Sequence, residues 1–243
     1  MVARSCLAMD SKLKLHALWN RIVGPIRLRK RIASGGPIKI VIGAGRICQR
    51  GWIRTEVDYL DVFNLEHWDA FFQPDTIDAI NCEHVWVYFP FEAGIQAAKN
   101  CYKYLKPGGN FRVSVPDGLF PDQAYIDYVK PGGTGVLAET HQMLYTYKTM
   151  KDQFEKAGFT VQLLEYWDED GTFHYTPWDE SKGFVRRTRD NDPRNQDGVI
   201  RYSSILIDAV KPLAPVPLER VPPQVEAPQI QTSGIDRSSS GLL

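Results

Sequence analysis

Glycines and a carboxylate follow the first two predicted strands of the chain. Residues 38–42 (IKIVI) predict a buried strand, and Gly43-Ala44-Gly45 comes directly after it. Without a Cβ at the glycines, the backbone there can approach a ligand closely. Glu56 ends the second predicted strand, where a carboxylate can accept hydrogen bonds from both hydroxyls of a ribose. These residues therefore predict a nucleoside site at the ends of two neighbouring strands.

The segment between these strands leaves no room for a phosphate site. Only residues 46–51 separate Gly45 from the second strand, whereas a helical crossover needs about a dozen residues. A dinucleotide site also requires a helix N-terminus at the pyrophosphate and a third glycine. We therefore predict a cofactor that carries adenosine without phosphate, and neither NAD nor FAD. Asp58 and Asp61 follow Glu56, with Asp61 placed to accept from an adenine amino group.

Three other polar residues are candidates for a general base. His84 follows the third predicted strand, Asp117 follows the fourth, and His141 lies beyond the glycine-rich loop at residues 132–135. A positioned base typically contributes about 10² to 10⁴-fold to a reaction that moves a proton. The alternative for each histidine is a structural role within the fold. No cluster has the spacing of metal ligands, so no metal site is predicted.

An alternation of strands and helices positions these residues. The predicted strands are residues 38–42, 52–57, 77–82, 111–115, 159–166 and 203–210, with helices near residues 65–72, 91–105 and 147–157. This order is typical of an α/β fold with a mostly parallel, twisted sheet and helices on both faces. The first crossover helix is abbreviated. Ligands of such sheets bind beyond the carboxyl ends of the strands.

Composition limits the function classes further. The chain has 243 residues, of which 43% are hydrophobic and 24% charged, as in an ordinary globular protein. No run of about 18 apolar residues exists, so no membrane-spanning helix is predicted. The four cysteines form no CxxC pair, which favours a reducing cytoplasm over a zinc ribbon or a secreted scaffold.

The two ends of the chain differ from its body. Residues 1–37 form a basic N-terminal arm with a net charge of +7, so the remaining residues carry −7, which argues against nucleic-acid binding by the body. Within the arm, residues 12–31 predict an amphipathic basic helix interrupted at Gly24-Pro25. The helix is either a membrane-surface or partner-docking arm, or a leader helix packed loosely on the domain. Residues 38–211 form the domain, and residues 212–243 predict a disordered Pro/Ser-rich tail.

Residues 167–201 form an insertion before the last strand. The insertion is rich in aromatic residues and arginines, and its length predicts a lid or a binding surface. Aromatic faces stack on sugar rings or bases and arginines bind carboxylates or phosphates, so an acidic saccharide, a nucleotide-linked sugar or an RNA end fits this composition. Eight acidic against six basic residues in the insertion make nucleic acid the weaker option. The alternative is that the aromatics pack on the core, with the arginines paired to Asp168, Asp170, Asp190 or Asp192.

Four segments in this order resemble the motifs of class I S-adenosylmethionine-dependent methyltransferases. They are residues 38–45 (IKIVIGAG), 51–58 (GWIRTEVD), 77–89 (IDAINCEHVWVYF) and 101–117 (CYKYLKPGGNFRVSVPD). The resemblance covers residues 38–117 at the level of motifs and extends loosely to about Lys211. It implies a Rossmann-like methyltransferase fold, S-adenosylmethionine as cofactor, and methyl transfer to oxygen or nitrogen of a small molecule, with a carbohydrate or glycoconjugate precursor preferred.

The resemblance also implies roles for individual residues. It assigns the methionine part of the cofactor to Gly43, Ala44 and Gly45, the ribose to Glu56, the adenine to Asp61 and Val62, and the sulfonium to Asn81, Cys82, Glu83 and His84. Three features depart from the family pattern: the glycine loop lacks a further glycine, the first crossover helix is nearly absent, and Val87-Tyr88 replaces the Glu-His of many relatives. The alternative function is therefore a methyltransferase-like binding or scaffold protein without turnover.

Overall fold

Seven strands form one mixed sheet in the computed structural model, which describes residues 19–45, 47–195 and 197–213. The strands are β1 (Lys39–Ile42), β2 (Ile53–Arg54), β3 (Ile77–Glu83), β4 (Leu105–Pro116), β5 (Thr160–Trp167), β6 (Phe173–Tyr175) and β7 (Ser204–Val210). The helices are α1 (residues 19–33), α2 (Leu65–Asp69), α3 (Phe91–Tyr104), α4 (Gln123–Val129) and α5 (Tyr147–Lys156).

The strand order is β2-β1-β3-β4-β7-β5-β6. The first four strands in this order are mutually parallel, and β7 lies antiparallel between β4 and β5. Strand β6 pairs antiparallel with β5 at the edge. The predicted α/β, Rossmann-like fold is confirmed, and no helix lies between β1 and β2 in the described residues 43–45 and 47–52.

One face of the sheet is apolar and packs against helices. Alternate residues of the central strands, such as Ile80 and Phe111, are fully buried in the main core. Phe111 contacts Phe154 of α5 with ring centroids 5.5 Å apart, and Trp86 contacts the same ring at 5.4 Å. This packing follows from strand geometry, because side chains two residues apart share a face.

The opposite face carries buried polar side chains and is covered by the insertion. Arg112 of β4 is fully buried, and its Nε and Nη2 donate to the two carboxylate oxygens of Asp208 at 2.8 and 2.9 Å. Its Nη1 donates to the backbone carbonyls of Asp179 and Gly183, each at 2.7 Å. A single side chain thus joins β4, β7 and the insertion. On this face the insertion is the cover, and its described helical residues are the single 3-10 turns Glu180–Lys182 and Pro193–Asn195.

Glu165 of β5 holds the insertion at a second point. Its Oε1 accepts a hydrogen bond from the indole of Trp178 at 2.9 Å, and its Oε2 accepts from the backbone N–H of Arg189 at 2.8 Å. Trp178 packs against a small apolar cluster that contains Leu164 and Val185. The insertion is thus packed on the sheet, as the alternative predicted. Two of its predicted arginine pairings also form, Arg189 with Asp190 at 2.8 Å and Arg194 with Asp192 at 2.6 Å.

Helix α1 belongs to the domain. It runs through Gly24-Pro25 without the predicted interruption, because Gly24 packs against Tyr59, where a Cβ would lie 2.3 Å from the ring. Pro25 removes one backbone hydrogen bond from the helix. Burial of Leu28 in the main core offsets this loss of stability. The domain therefore begins before residue 38, and the predictions for residues 1–18 and 214–243 lie outside the described residues.

Two strand boundaries differ from the prediction. Strand β2 is limited to Ile53–Arg54, and β4 begins at Leu105, before the predicted start at residue 111. The pairing of β3 with β4 shifts register between Ile77 and Ala79, so a bulge lets the glycine-containing start of β4 remain in the sheet.

Within the described part of the chain, no helix is long and apolar enough to span a membrane.

Candidate functional site

A cavity of about 900 Å³ opens at the carboxyl ends of the parallel strands. Its walls come from four segments: the glycine turn at residues 43–45, the end of β3 and the two residues after it (83–85), the end of α4 with the segment that follows it (128–141), and the insertion (184–194). A volume of this size lies within the range of small-molecule sites, roughly 300 to 1,000 Å³. The position agrees with the expectation that ligands bind beyond these strand ends.

The glycine turn and Glu56 are in direct contact. Gly43 and Gly45 have φ angles of +58° and +50°, a region that glycine adopts without steric cost. A Cβ on Gly43 would lie 2.6 Å from Cγ2 of Val85, whereas the nearest atom to a Cβ on Gly45 would be 4.0 Å away. The backbone N–H of Gly45 donates to Oε1 of Glu56 at 2.9 Å. The structure thus brings together the turn and the carboxylate that the sequence predicted as nucleoside contacts.

Three further residues predicted as cofactor contacts, Asp58, Asp61 and Val62, follow Glu56 in the chain. Asp58 accepts a hydrogen bond from Asn20 of α1 at 3.3 Å and lies 3.9 Å from the guanidinium of Arg21. Oδ1 of Asp61 accepts from the backbone N–H of Phe63 at 2.9 Å, and Val62 is buried in the core. None of these three loop residues lines the large cavity, so their contacts to a cofactor stay predictions.

The residues of β3 alternate between the core and the insertion. The thiol of Cys82 is buried in the core, and burial raises its pKa. Asn81 faces the insertion and donates from Nδ2 to the carbonyl of Phe184 at 2.7 Å. Glu83 accepts from the guanidinium of Arg187 at 2.9 Å and from the backbone N–H of Arg186 at 3.0 Å. Of the three, Glu83 lines the cavity, and both of its oxygens hold the cavity wall in place.

His84 lines the cavity as a neutral, hydrogen-bonded side chain. Its backbone is left-handed, with φ +58°, and its Nε2 lies 2.8 Å from the hydroxyl of Ser204. Burial lowers the pKa of His84 well below its usual range, and the charge of Arg187 adds to this effect. His84 therefore adds a hydrogen-bonding group to the cavity and no positive charge.

A hydrogen bond of His141 leaves one ring nitrogen available as an acceptor. Its Nδ1 lies 2.8 Å from the backbone carbonyl of Val129. A carbonyl can only accept, so Nδ1 donates and Nε2 of the neutral ring is an acceptor. The ring packs edge-on against Tyr88 at 5.3 Å, and both residues line the cavity.

Asp117 lies outside the cavity. It is fully buried, and its two oxygens accept from the backbone N–H groups of Trp167 at 2.7 Å and Leu119 at 2.9 Å. Burial raises the pKa of Asp117 to about 6. The carboxylate therefore ties the end of β4 to the end of β5, and this position does not suit the general base that the sequence suggested.

Arginines of the insertion form one wall of the cavity. Arg187 pairs with Glu83, and Arg194 pairs with Asp192 at 2.6 Å. Arg186 is exposed, and its guanidinium has no ion pair within 4 Å among the described residues. Residues 128–138 complete the wall. Apart from the glycines at residues 132–135, this segment carries no motif that predicts a place in the site. The described residues contain no group of three metal-ligating side chains.

Several solved structures are similar to this chain. S-adenosylmethionine-dependent methyltransferases from Archaeoglobus fulgidus and Thermotoga maritima are 16% and 14% identical, each with a TM-score of 0.44. The matches cover 79% and 82% of this chain and 94% and 96% of those chains. A methyltransferase from Mesorhizobium loti is 14% identical with a TM-score of 0.43, over 75% of this chain and 96% of that one. No protein-family model and no curated protein sequence matches the chain.

The lowered pKa of His84 predicts a pH dependence of stability. As the pH falls below about 6.5, the unfolded state takes up a proton at this position while the folded state does not. The free energy of unfolding then decreases, by up to about 1.4 kcal/mol per pH unit. His84→Asn suits the left-handed backbone and removes the titrating group.

Urea unfolding of the two proteins between pH 7.5 and pH 5 measures this contribution. The slope of unfolding free energy against pH is compared between the wild type and His84→Asn. The difference between the two slopes is the contribution of His84, because Asp117 and the other titrating groups are present in both proteins. We expect the unfolding free energy of the wild type to fall more steeply with decreasing pH. Parallel curves for the two proteins would show that His84 titrates normally.

Proposed function

We propose that the chain is an S-adenosylmethionine-dependent methyltransferase that modifies oxygen or nitrogen of a small, negatively charged molecule. The observation that carries the proposal is the hydrogen bond from Gly45, which lines the large cavity, to Glu56, which does not line it. A bare glycine backbone beside a carboxylate fits the ribose and amino-acid parts of a nucleoside cofactor. No helix begins at the turn in the described residues, so the turn offers no helix N-terminus to a phosphate.

Each group at the cavity has a defined role in this proposal. The cofactor, when bound, supplies a methyl group on a sulfonium, which is already a good electrophile. The protein therefore acts by alignment of the acceptor, which is worth roughly 7 to 11 kcal/mol at best, and by removal of a proton. Nε2 of His141 accepts that proton from an acceptor hydroxyl or amine, while the carbonyl of Val129 fixes the ring.

The charge of the cavity wall supports an anionic acceptor. Glu83 is the one carboxylate among the described residues that line the cavity, and Arg187 neutralises it. Arg186 is left as a guanidinium that can bind a carboxylate or phosphate. Tyr128 also lines the cavity, is exposed, and offers an aromatic face to a sugar ring. An acidic saccharide or a nucleotide-linked sugar meets these requirements.

A binding or scaffold protein without turnover is the second candidate. Its support is that Glu83 and His84, the polar residues at the end of β3, are both engaged in hydrogen bonds within the fold. Val87, which stands where many relatives have a glutamate, is buried in the core. In this case the cofactor binds and no acceptor is methylated.

For either candidate we propose a reducing, cytoplasmic compartment. Cys48, Cys82 and Cys101 are all unpaired thiols in the described residues. Free thiols of this kind persist where glutathione and thioredoxin keep them reduced.

Cofactor binding can be tested by thermal shift. S-adenosylhomocysteine at about 100 times its Kd stabilises the folded state by roughly 2.7 kcal/mol, or about 5 to 10 °C for a domain of this size. Gly45→Ala places a Cβ on the turn and abolishes the shift. Gly171→Ala is the matched control, because Gly171 also has a positive φ, +73°, and open space around it. A shift with NAD and none with S-adenosylhomocysteine would contradict the proposal.

The charge of the acceptor can be tested by kinetics. With a uronic acid as acceptor, Arg186→Gln raises KM about tenfold and leaves kcat nearly unchanged, because the guanidinium binds the carboxylate away from the reacting atom. The corresponding neutral sugar shows no such change. Lys182→Gln is the control, since Lys182 is an exposed base of the same insertion outside the cavity lining. Equal effects of Arg186→Gln on both acceptors would contradict an anion site at Arg186.

A further inference from the structure

Helix α1 has two apolar faces, and the domain covers one of them. On the covered side, Leu28 is fully buried and Gly24 packs on Tyr59. On the other side, Trp19, Ile22 and Ile26 are 56%, 57% and 60% exposed. Their spacing of three and four residues places them in one stripe along the helix. Core packing explains Leu28 but leaves this outer stripe unexplained.

The helix is held so that the outer stripe faces away from the domain. Asp58 accepts a hydrogen bond from Asn20 at 3.3 Å and lies 3.9 Å from Arg21. Farther along the helix, the guanidinium of Arg29 lies over the ring of Phe71, 5.0 Å from its centroid. These contacts join the helix to the loop after β2 and to the segment after α2. The apolar stripe is therefore presented on a fixed element.

The charged side chains of α1 itself, among the described residues, are all basic, and Asp58 of the domain lies near one of them, Arg21. Residues 11–55 contain eleven basic residues and no acidic residue, whereas residues 38–243 together carry −7. At about 100° per residue, Arg29 and Lys30 lie on either side of Ile26. A stripe of apolar side chains flanked by lysine and arginine is the pattern of a helix that lies on an anionic bilayer.

A second cavity adjoins the stripe. It has a volume of about 410 Å³ and lies between α1 and the segment at residues 52–59. Arg27, Arg31 and Arg54 contribute to its lining, and Trp19 belongs to both the cavity and the stripe. Its one lining carboxylate is Glu56, which accepts from Gly45. A concave basic site directly beside exposed apolar side chains matches a phosphate headgroup beside its acyl chains.

We propose that α1 docks the protein on the surface of an anionic membrane. Trp19, Ile22 and Ile26 enter the boundary between headgroups and acyl chains, and the arginines of the second cavity contact lipid phosphates. Three exposed side chains are a small patch compared with the roughly 800 Å² per partner of a stable protein interface. Shallow insertion into a bilayer needs only one face of a helix. The apolar stripe does not line the large cavity, whereas Glu56 belongs to the second cavity and also contacts the glycine turn.

Vesicle sedimentation of the full chain tests the apolar part of the proposal. We expect binding to phosphatidylcholine vesicles that contain 30% phosphatidylserine, and at least tenfold weaker binding to pure phosphatidylcholine. The double variant Ile22→Ser, Ile26→Ser lowers the partition coefficient at least tenfold. Val199→Ser is the matched control, because Val199 is 55% exposed elsewhere on the surface. Unchanged melting temperatures confirm that all three proteins are folded.

Charge variants test the electrostatic part. Arg27→Gln and Lys30→Gln each weaken binding to the anionic vesicles about fivefold, whereas Lys99→Gln on α3 has no effect. Equal binding to neutral and anionic vesicles, or no loss in the double serine variant, would overturn the proposal. Absence of vesicle binding together with a dimer in sedimentation velocity that the double variant abolishes would also overturn it, and would assign the stripe to a second copy of the chain.

Discussion

The buried guanidinium of Arg112 is the constraint on which the rest of the structure depends. A charged group without solvent must be paired and hydrogen bonded, because its desolvation costs several kcal/mol even in a relaxed protein. Asp208 on the neighbouring strand supplies the opposite charge. The two donors of Nη1 are satisfied by the carbonyls of Asp179 and Gly183, so the insertion completes the hydrogen bonding of a charge that is buried on the sheet.

This constraint sets the shape of the large cavity. Gly183 is held by Arg112, and the next residue, Phe184, is hydrogen bonded through its backbone to Asn81 and Gln49. The backbone N–H of Arg186 then donates to Glu83. These bonds place Arg186 and Arg187 at the cavity wall. A wall fixed in this way positions its charges before an acceptor arrives, which reduces the entropic cost of alignment. The proposed chemistry needs such positioning more than it needs a strong base, since the cofactor carries its own leaving group.

The sequence predicted the features that depend on local patterns. The strands, the glycine turn, Glu56 and the position of the site beyond the strand ends follow from apolar runs, glycine spacing and the order of the elements. Packing of the insertion on the core was predicted as an alternative, but the polar face of the sheet that it covers was not. Asn81, Arg112 and Asp208 alternate with apolar residues, as solvent-facing residues of a sheet do, and their partners lie far along the chain. Gly24-Pro25 resembles a helix end in sequence, and its contact with Tyr59 is visible only in three dimensions.

Native-state hydrogen exchange tests most directly whether the insertion is a fixed wall. The informative amides are those of Phe184, Arg186 and Arg189, which donate to side chains of Gln49, Glu83 and Glu165. If the insertion and the sheet open together, these amides exchange within about tenfold of the amides of β4. Rapid exchange at all three positions, while β4 stays protected, would show that the insertion opens on its own and would contradict a cavity fixed by Arg112.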